Sequence, residues 1–513
     1  MKILNMRAPR GDMGAPSGGN AGFVNHWRLA PSKNHGRIGD GLIPLTSLKR
    51  RAKNERANVD PQLLVSCCRD ATAANDLMMN VLLLGSGGRE YAIAIALARS
   101  PLLKTLFVAA GNPGMAALAC VAQLDIKDHP AVAAFCKAKR IDLVVIGPEA
   151  PLVAGIVDEL TSAGIRAFGP SKAAARLEGS KIFAKQFCAR FNIPCAAYAC
   201  FTDAASAKAY VRGKCTPIVI KADGLAAGKG VTVALSLDEA EAAIERMFAG
   251  EFGAAGQKIV VEEFLDGEEV SFFALCDGAR AVEFASAQDH KRVGEGERGP
   301  NTGGMGAYSP APVMDARLRE RVMRTIVSPT LDGMAAMGAP FKGVLFAGLM
   351  ICADGPRLIE YNVRFGDPET QAMLPRLEED LLALLLACVE ERLPERPVRL
   401  SAKTALSVVL AAKGYPGAPV RGSEIFGVER AAAMPFVSIT HAGTKRQGQK
   451  LVADGGRVLT VTGVGADVAE ARARAYSAID VIDWPGGFHR RDIGWRAFAR
   501  DPAQLDRSTG GPA

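Results

Sequence analysis

From residue 79 onward, short apolar runs alternate with amphipathic stretches at a spacing that predicts strands and helices in turn. NVLLLG (80–85) reads as a buried strand, followed by a glycine turn and a helix through YAIAIALARS. TLFVAAG (105–111), a helix near HPAVAAFCKAKR, IDLVVIGPE (141–149) and IRAFGPS (165–171) repeat the unit. Strands and helices alternating at this length predict a parallel, doubly wound sheet.

From about residue 180 the pattern changes to an α+β one. TPIVIKADG, GVTVALS, KIVVEEFL and EVSFFALCDG predict antiparallel strands, with a helix at DEAEAAIERMFAG. GVLFAGLMICADGPRLIEYNV (343–363) predicts a hairpin turning at Asp354–Gly355–Pro356. A further α/β segment begins near 400 with TALSVVLAA, FVSITHAGT, GGRVLTVTGVG and a helix at VAEARARAYSAIDVI. The densest apolar run, LLALLLAC (381–388), suits a buried helix, since a bilayer span needs about 18 apolar residues. Residues 1–78 show neither period and predict a disordered extension, with translation starting at Met78 or Met79 as the favoured explanation and a targeting segment as the other. The expected parts are therefore an extension (1–78), an N-terminal α/β domain (79–179), a central region (180–398), a C-terminal domain (399–502) and a flexible tail (503–513).

Charge changes this picture little. The net +8 concentrates in residues 1–78, which carry 12 Lys/Arg against 6 Asp/Glu, while the remaining 435 residues carry 50 against 48. No basic footprint for nucleic acid exists in the folded body. Eleven scattered cysteines without metal spacing predict reduced thiols and a cytoplasmic protein.

Five stretches carry candidate chemistry. GSGGREYA (85–92) joins a strand to a helix, where backbone N–H groups hold a phosphate or simply make a tight turn. It fails as a dinucleotide fingerprint, because Glu90 stands where the third glycine belongs. IKADGLAAGKGV (220–231) sets Lys221 on a strand and Lys229 in a glycine-rich loop, suited to anionic oxygens or to a solvated hairpin. VEEFLDGEEVS (261–271) offers backbone around Phe264 and Leu265 for an adenine edge and Glu269 for ribose hydroxyls, or only a solvated strand edge. DHKRVGEGERGPNTGGMGAYSP (289–310) reads as a long loop with the small residues of a ligand cover.

EYNVRFGDPETQ (360–371) is the densest. Glu360 and Asn362, two apart on a strand, point to one face and make hard ligands for Mg²⁺. Arg364 continues that face if the strand runs on, where it would stabilise charge on a transferring phosphoryl group. Asp367 and Glu369 in the following loop are then free for a cationic amine. No nucleophile–base arrangement emerges among six dispersed histidines.

These stretches, with GNPG (111–114), IGPEAPL (146–152), GPS (169–171), SKIFAK (180–185), HAGT (441–444), GGRVL (455–459) and RRDIG (490–494), occur in one order over some 420 residues. The chain resembles the phosphoribosylamine–glycine ligase (glycinamide ribonucleotide synthetase) family of the ATP-grasp superfamily. The resemblance implies ATP-grasp central domains with a mobile lid at about 200–268 and a small mixed α/β C-terminal domain. It also implies ATP-dependent ligation of glycine to 5-phosphoribosylamine through glycyl phosphate, in purine biosynthesis, by a monomer that binds small molecules and neither nucleic acid nor membrane. Position by position, it implies Lys181, Lys221 and Lys229 at the ATP phosphates, Glu262, Phe264 and Leu265 at adenine, and Glu269 at ribose. Glu360 and Asn362 match the Mg²⁺ or Mn²⁺ ligands, and Arg364 and Lys221 the catalytic charges. Asn301, Thr302, Gly303, Gly304, Asp367 and Glu369 would surround glycine and the acyl phosphate; Gly87, Gly88, Arg89 and Glu149 would meet the amine substrate. Tyr91 departs from the family's histidine, and AGLMI (347–351) lacks the metal carboxylate many ATP-grasp enzymes place there. The alternatives are another ATP-grasp carboxylate–amine ligase or carboxylase, or a nucleotide-binding protein without catalysis.

Overall fold

The computed structural model describes residues 78–225 and 230–500, which belong to one compact unit. The expected extension (Met78 apart), Lys229 and the tail from 503 lie outside the described residues.

Strands β1 (Met79–Gly85), β2 (Leu103–Ala110), β3 (Cys120–Ala122), β4 (Leu143–Ile146) and β5 (Ala167–Phe168) form a parallel sheet in the order β3-β2-β1-β4-β5. Their unbroken apolar runs follow from burial on both faces. The order reverses beside β1, and the crevice beyond the strand ends at such a reversal is where open α/β sheets take ligands. GSGGRE leaves β1 there and GPE leaves β4. Glu90 fills the space between the two turns: its Oε2 accepts a hydrogen bond from Gly87 N at 2.7 Å, and a Cβ on Gly85 or Gly147 would collide with its side chain.

Strands β6 (Tyr198–Phe201), β7 (Ile218–Ala222), β8 (Val231–Ala234) and β9 (Ile259–Glu263) make a small antiparallel sheet ordered β6-β9-β7-β8. Helices Ala204–Arg212 and Leu237–Arg246 cover one face of it, and Ile218, Ile220, Ile244, Ile259 and Val261 give it an apolar core of its own.

The largest sheet contains β10 (Glu268–Asp277), β11 (Ala281–Asp289), β14 (Gly306–Ser309), β15 (Lys342–Cys352), β16 (Gly355–Asn362), β17 (Thr404–Ala412), β18 (Val437–His441) and β21 (Arg457–Gly465). Its order is β16-β15-β10-β11-β14-β17-β21-β18. Hairpins β12 (Arg292–Gly294) with β13 (Arg298–Asn301) and β19 (Thr444–Gln447) with β20 (Lys450–Ala453) stand beside it. Both faces of β10 are buried: Phe272 packs into the core shared with Leu82 and Ile146, Phe273 into the one shared with Leu83 and Val145. LLALLLAC lies in the buried helix Leu381–Val389. Among the described residues no helix is long and apolar enough to cross a membrane, and all nine cysteines are free.

The stretch 289–310 overturns the expectation of a long loop. It folds into the β12–β13 hairpin and then into β14, which pairs with β11 on one side and β17 on the other. Its glycines conceal the strand, since period-2 patterning needs side chains. Gly306 is required where β14 passes β17, because a Cβ there would meet Ser407 O at 2.6 Å. The hairpin is pinned by buried His290, whose Nδ1 lies 3.1 Å from Glu297 and whose Nε2 accepts from Gly494 N at 3.0 Å; buried Arg490 grips Glu297 at 2.8 Å. A second difference concerns the strand at EYNVR: β16 ends at Asn362, so Arg364 lies in the bend beyond it and is not on the strand face.

Phe272→Ala is expected to cost about 3–5 kcal/mol, because it opens a cavity on a strand with no exposed side. The thermal melting midpoint should fall by several degrees, whereas Phe264→Ala, at a side chain 41% exposed, should leave it unmoved.

Candidate active site

A cleft of about 470 Å³ opens where the parallel sheet, the small sheet and the largest sheet face one another, and a second of about 180 Å³ adjoins it. The smaller one is lined by Val219, Val233, Phe264, Leu265, Met350 and Ile359, an apolar slot bordered by the segment that leaves the end of β9. A flat base fits such a slot. Lys221, Glu262, Lys291, Thr302 and Glu360 line both spaces.

Lys181, Lys185 and Lys221 border the junction together with Lys291. Lys221 on β7 is 3% exposed; its Nζ lies 3.0 Å from Glu262 Oε1 and donates to Ile359 O at 3.3 Å. That carbonyl is presented by a bulge: Leu349 opposes Leu358 and Gly348 opposes Glu360, so Ile359 has no partner in the ladder. Lys181, at the start of the helix Lys181–Arg190, donates to Gly224 O at 3.1 Å. Lys185, one turn on, lies 2.8 Å from Glu262 Oε2.

Among the described residues that line the two spaces, Glu360 is the one carboxylate that makes no hydrogen bond or ion pair. Burial pushes its carboxyl up, but Lys181, Lys221, Lys291 and Arg364 outweigh that and hold it below the usual range. An ionised, unpartnered carboxylate beside an amide oxygen is the donor set of a hard divalent cation, with ligand oxygens and water completing the shell. Asn362 Oδ1 accepts from Arg364 Nη2 at 3.0 Å, which leaves it one lone pair. Among the described residues no group of three or more His, Cys, Asp and Glu is arranged around an ion, so Glu360 and Asn362 fit a cation brought with its own oxygen ligands.

Arg364 is not free. Its Nη2 lies 2.9 Å from Glu178, its Nε 3.3 Å from Glu149, and its Nη1 donates to Phe365 O at 3.2 Å. Burial disfavours the guanidinium charge, but Glu178, Glu149, Glu369 and Glu360 keep it in place. Glu178 in turn accepts from Val363 N at 2.7 Å, and burial raises its carboxyl above the usual range despite Arg364.

The loop acids were expected to be free for an amine and are engaged instead. Asp367 accepts from Gln371 Nε2 at 2.7 Å and pairs with Arg457 at 3.3 Å, with Arg89 N at 3.5 Å. A half-buried loop carboxylate between three chain segments is held by their donors, which the local sequence does not show. Glu369 is 4% exposed and accepts from Ser271 Oγ at 3.2 Å; burial and the nearby Asp289 push its carboxyl up to about 7 against the pull of Lys291. Glu269 is likewise taken up, 2.9 Å from Lys291, which also holds Asp289 at 3.0 Å.

Around the loop Asn301–Gly304, Thr302 Oγ1 donates to Lys291 O at 2.8 Å, and Tyr415 Oη accepts from Gly303 N at 3.2 Å. Arg457 donates to Gly303 O at 2.7 Å and also to Asp367 O. On the far side, Gly87 and Gly88 open the helix Gly88–Leu97, Arg89 donates to Phe365 O at 3.0 Å, and Glu149 sits 4.0 Å from Arg89. Tyr91 packs on His441 with ring centroids 5.8 Å apart; burial brings that imidazole down to about 4, so it is neutral near pH 7.

The structure thus gathers Lys181, Lys221, Glu262, Phe264, Leu265, Glu269, Glu360, Asn362 and Arg364 around two adjoining spaces, with Thr302, Gly303, Asp367, Glu369, Arg89 and Glu149 at the larger one and Asn301 at the smaller, while Gly87, Gly88 and Gly304 line neither. Sequence reasoning missed Glu178, Lys185, Lys291, Tyr415 and Arg457. Lys185 carried a signal, lying four residues after Lys181 on one helix face. Glu178 carried none.

Three family models match the chain: phosphoribosylglycinamide synthetase N domain over 79–178, its ATP-grasp (A) domain over 179–370 and its C domain over 405–496. A phosphoribosylamine–glycine ligase of Mesorhizobium japonicum is 64% identical over 425 residues, covering 83% of this chain and all of that one. The chloroplastic phosphoribosylamine–glycine ligase of Arabidopsis thaliana is 54% identical over 80% of this chain and 79% of its own. The crystal structure of phosphoribosylamine–glycine ligase from Thermotoga maritima superposes with a TM-score of 0.71 at 33% identity, over 81% of this chain and 100% of that one. A biotin carboxylase from Campylobacter jejuni has a TM-score of 0.63 at 16% identity over 84% of this chain and 98% of its own, a likeness of fold alone. With its three segments matched in order and the lysine, carboxylate and amide groups gathered at one cleft, the chain belongs to the phosphoribosylglycinamide synthetase family of ATP-grasp ligases.

Proposed function

We propose that this chain ligates glycine to 5-phosphoribosylamine at the expense of ATP, giving glycinamide ribonucleotide, ADP and phosphate. The observation that carries the reading is Glu360, an ionised carboxylate without a partner, facing lysines beside an apolar slot in a chain of this family. A glycine carboxylate oxygen attacks the γ-phosphorus and ADP leaves. The amine then attacks the acyl carbon of glycyl phosphate, forming the amide and expelling phosphate. Neither step needs a protein nucleophile; both need orientation and neutralised charge.

In this proposal the slot takes adenine beside Glu262, Phe264 and Leu265, with Glu269 toward ribose. Lys181, Lys221 and Lys229 take the phosphates. Mg²⁺ or Mn²⁺ held by Glu360 and Asn362 would neutralise the phosphate oxygens during transfer. Arg364 acts from within its carboxylate pair. Glu149, 29% exposed at its side chain against 7% for Glu178, is the partner a phosphoryl group displaces more easily. Asn301–Gly304, Asp367 and Glu369 border glycine and the acyl phosphate, and Gly87, Gly88, Arg89 and Glu149 border the amine substrate. The division at 179/180 and 398/399, a lid at about 200–268, and a monomer working in the cytoplasm complete the proposal.

The purified chain should release ADP rapidly only with glycine and 5-phosphoribosylamine both present; equal turnover with bicarbonate in their place would refute it. Glu360→Ala should lower amide formation about 100-fold or more with the melting midpoint unchanged. Glu369 yields a pH prediction. Its folded value of about 7 lies above that of an unfolded glutamate, so its contribution is present in acid and lost as pH rises through 7. Glu369→Gln should therefore gain stability relative to the parent as pH rises from about 4.3, the unfolded value, to about 7 and keep a level lead above that, read from paired melting curves; a difference that stays constant across this window would refute the shift.

A further inference from the structure

Two lysines grip one buried carboxylate in the wall of the cleft. Lys185 Nζ lies 2.8 Å from Glu262 Oε2, and Lys221 Nζ lies 3.0 Å from Glu262 Oε1. All three residues are buried, at 4%, 3% and 3% exposure. Three charges in so small a volume need a reason, because one lysine alone would neutralise Glu262.

The two lysines differ in surroundings. Lys221 has a second acceptor, Ile359 O, on the cleft side and lines both spaces. Lys185, on the helix Lys181–Arg190, borders only the larger space, and Glu262 is its one ion-pair partner among the described residues. Its Nζ is fully buried and makes no well-aligned hydrogen bond. If Glu262 depended on Lys221 alone, every anionic ligand that drew Lys221 forward would leave a bare carboxylate inside the protein, a heavy penalty on binding. With Lys185 in place, Lys221 is free to shift without that penalty.

We infer that Lys185 is a positioning residue: the standing counter-ion of Glu262, which releases Lys221 to serve the phosphates of a nucleoside triphosphate. The inference rests on the proposed ATP reading of the cleft. It has a consequence that a packing role lacks. In Lys185→Met, Glu262 keeps Lys221 for itself, so the fold retains a neutral pair while triphosphate binding suffers. Removing the carboxylate as well, in Lys185→Met/Glu262→Gln, frees Lys221 again.

Calorimetric titration of the full chain with MgATP and with adenosine tests this. Lys185→Met should raise the dissociation constant for MgATP about 10-fold or more, with adenosine binding and the melting midpoint unchanged. Lys185→Arg should stay near the parent, and the double variant, referenced to its own adenosine affinity because Glu262 borders the slot, should return the ratio of MgATP to adenosine affinity to within about 3-fold of the parent's. Unchanged MgATP affinity in Lys185→Met, equal losses for MgATP and adenosine, or a double variant no better than the single one would each overturn the inference. A parent chain that binds adenosine and MgATP equally weakly would overturn the ATP reading itself, and the inference with it.

Discussion

Charge buried in a cleft must be neutralised within a few ångströms, and this constraint sets the layout of the whole site. Arg364 lies beyond the end of β16, where no ladder holds it, yet Glu178 and Glu149 fix its guanidinium at 2.9 and 3.3 Å. Both acids precede the small sheet in the chain. The pairing therefore ties the end of the largest sheet to the segment that leaves β4 and to the helix Lys172–Gly179 that follows β5. Asp367 repeats the device, with Arg457 reaching it from β21 and Arg89 N from the first helix.

The same requirement explains why Glu360 stands out. Around it, Glu178, Glu149, Glu262, Glu269, Asp289 and Asp367 all have a basic partner at 2.8–3.3 Å or share one. Glu360 is stabilised at a distance by four cations and contacted by none. Glu369 has only Ser271 as a donor and its carboxyl is pushed up by burial, so Glu360 is the one carboxylate held ionised without a contact, open to a cation from outside.

The backbone makes this possible through positions without side chains. Gly85 and Gly147 leave room for Glu90 between two strand ends, and Gly306 lets β14 pass close to β17. β14 joins the two halves of the largest sheet, so Tyr415 and Arg457, from the last third of the chain, reach the loop Asn301–Gly304 beside the lysines.

Much of this was legible in the order of residues. Strand and helix periods are local, so the parallel sheet, the small antiparallel sheet, the β15–β16 hairpin and the buried helix at 381–388 could be read directly. So could Glu360 and Asn362, whose two-residue spacing defines a face on its own. Stretch 289–310 was misread, because six glycines erase the alternation that marks a strand and the partners that pin it, Arg490 and Gly494, lie some 200 residues away. Glu178, Lys185, Lys291 and Arg457 gain their meaning only from the ion pairs that folding creates. The sequence by itself determined the elements, the family and the kinds of group at the site. Which carboxylates are paired, and which one stays open, was decided only by tertiary structure, because electrostatic neutralisation depends on distance in space and not along the chain.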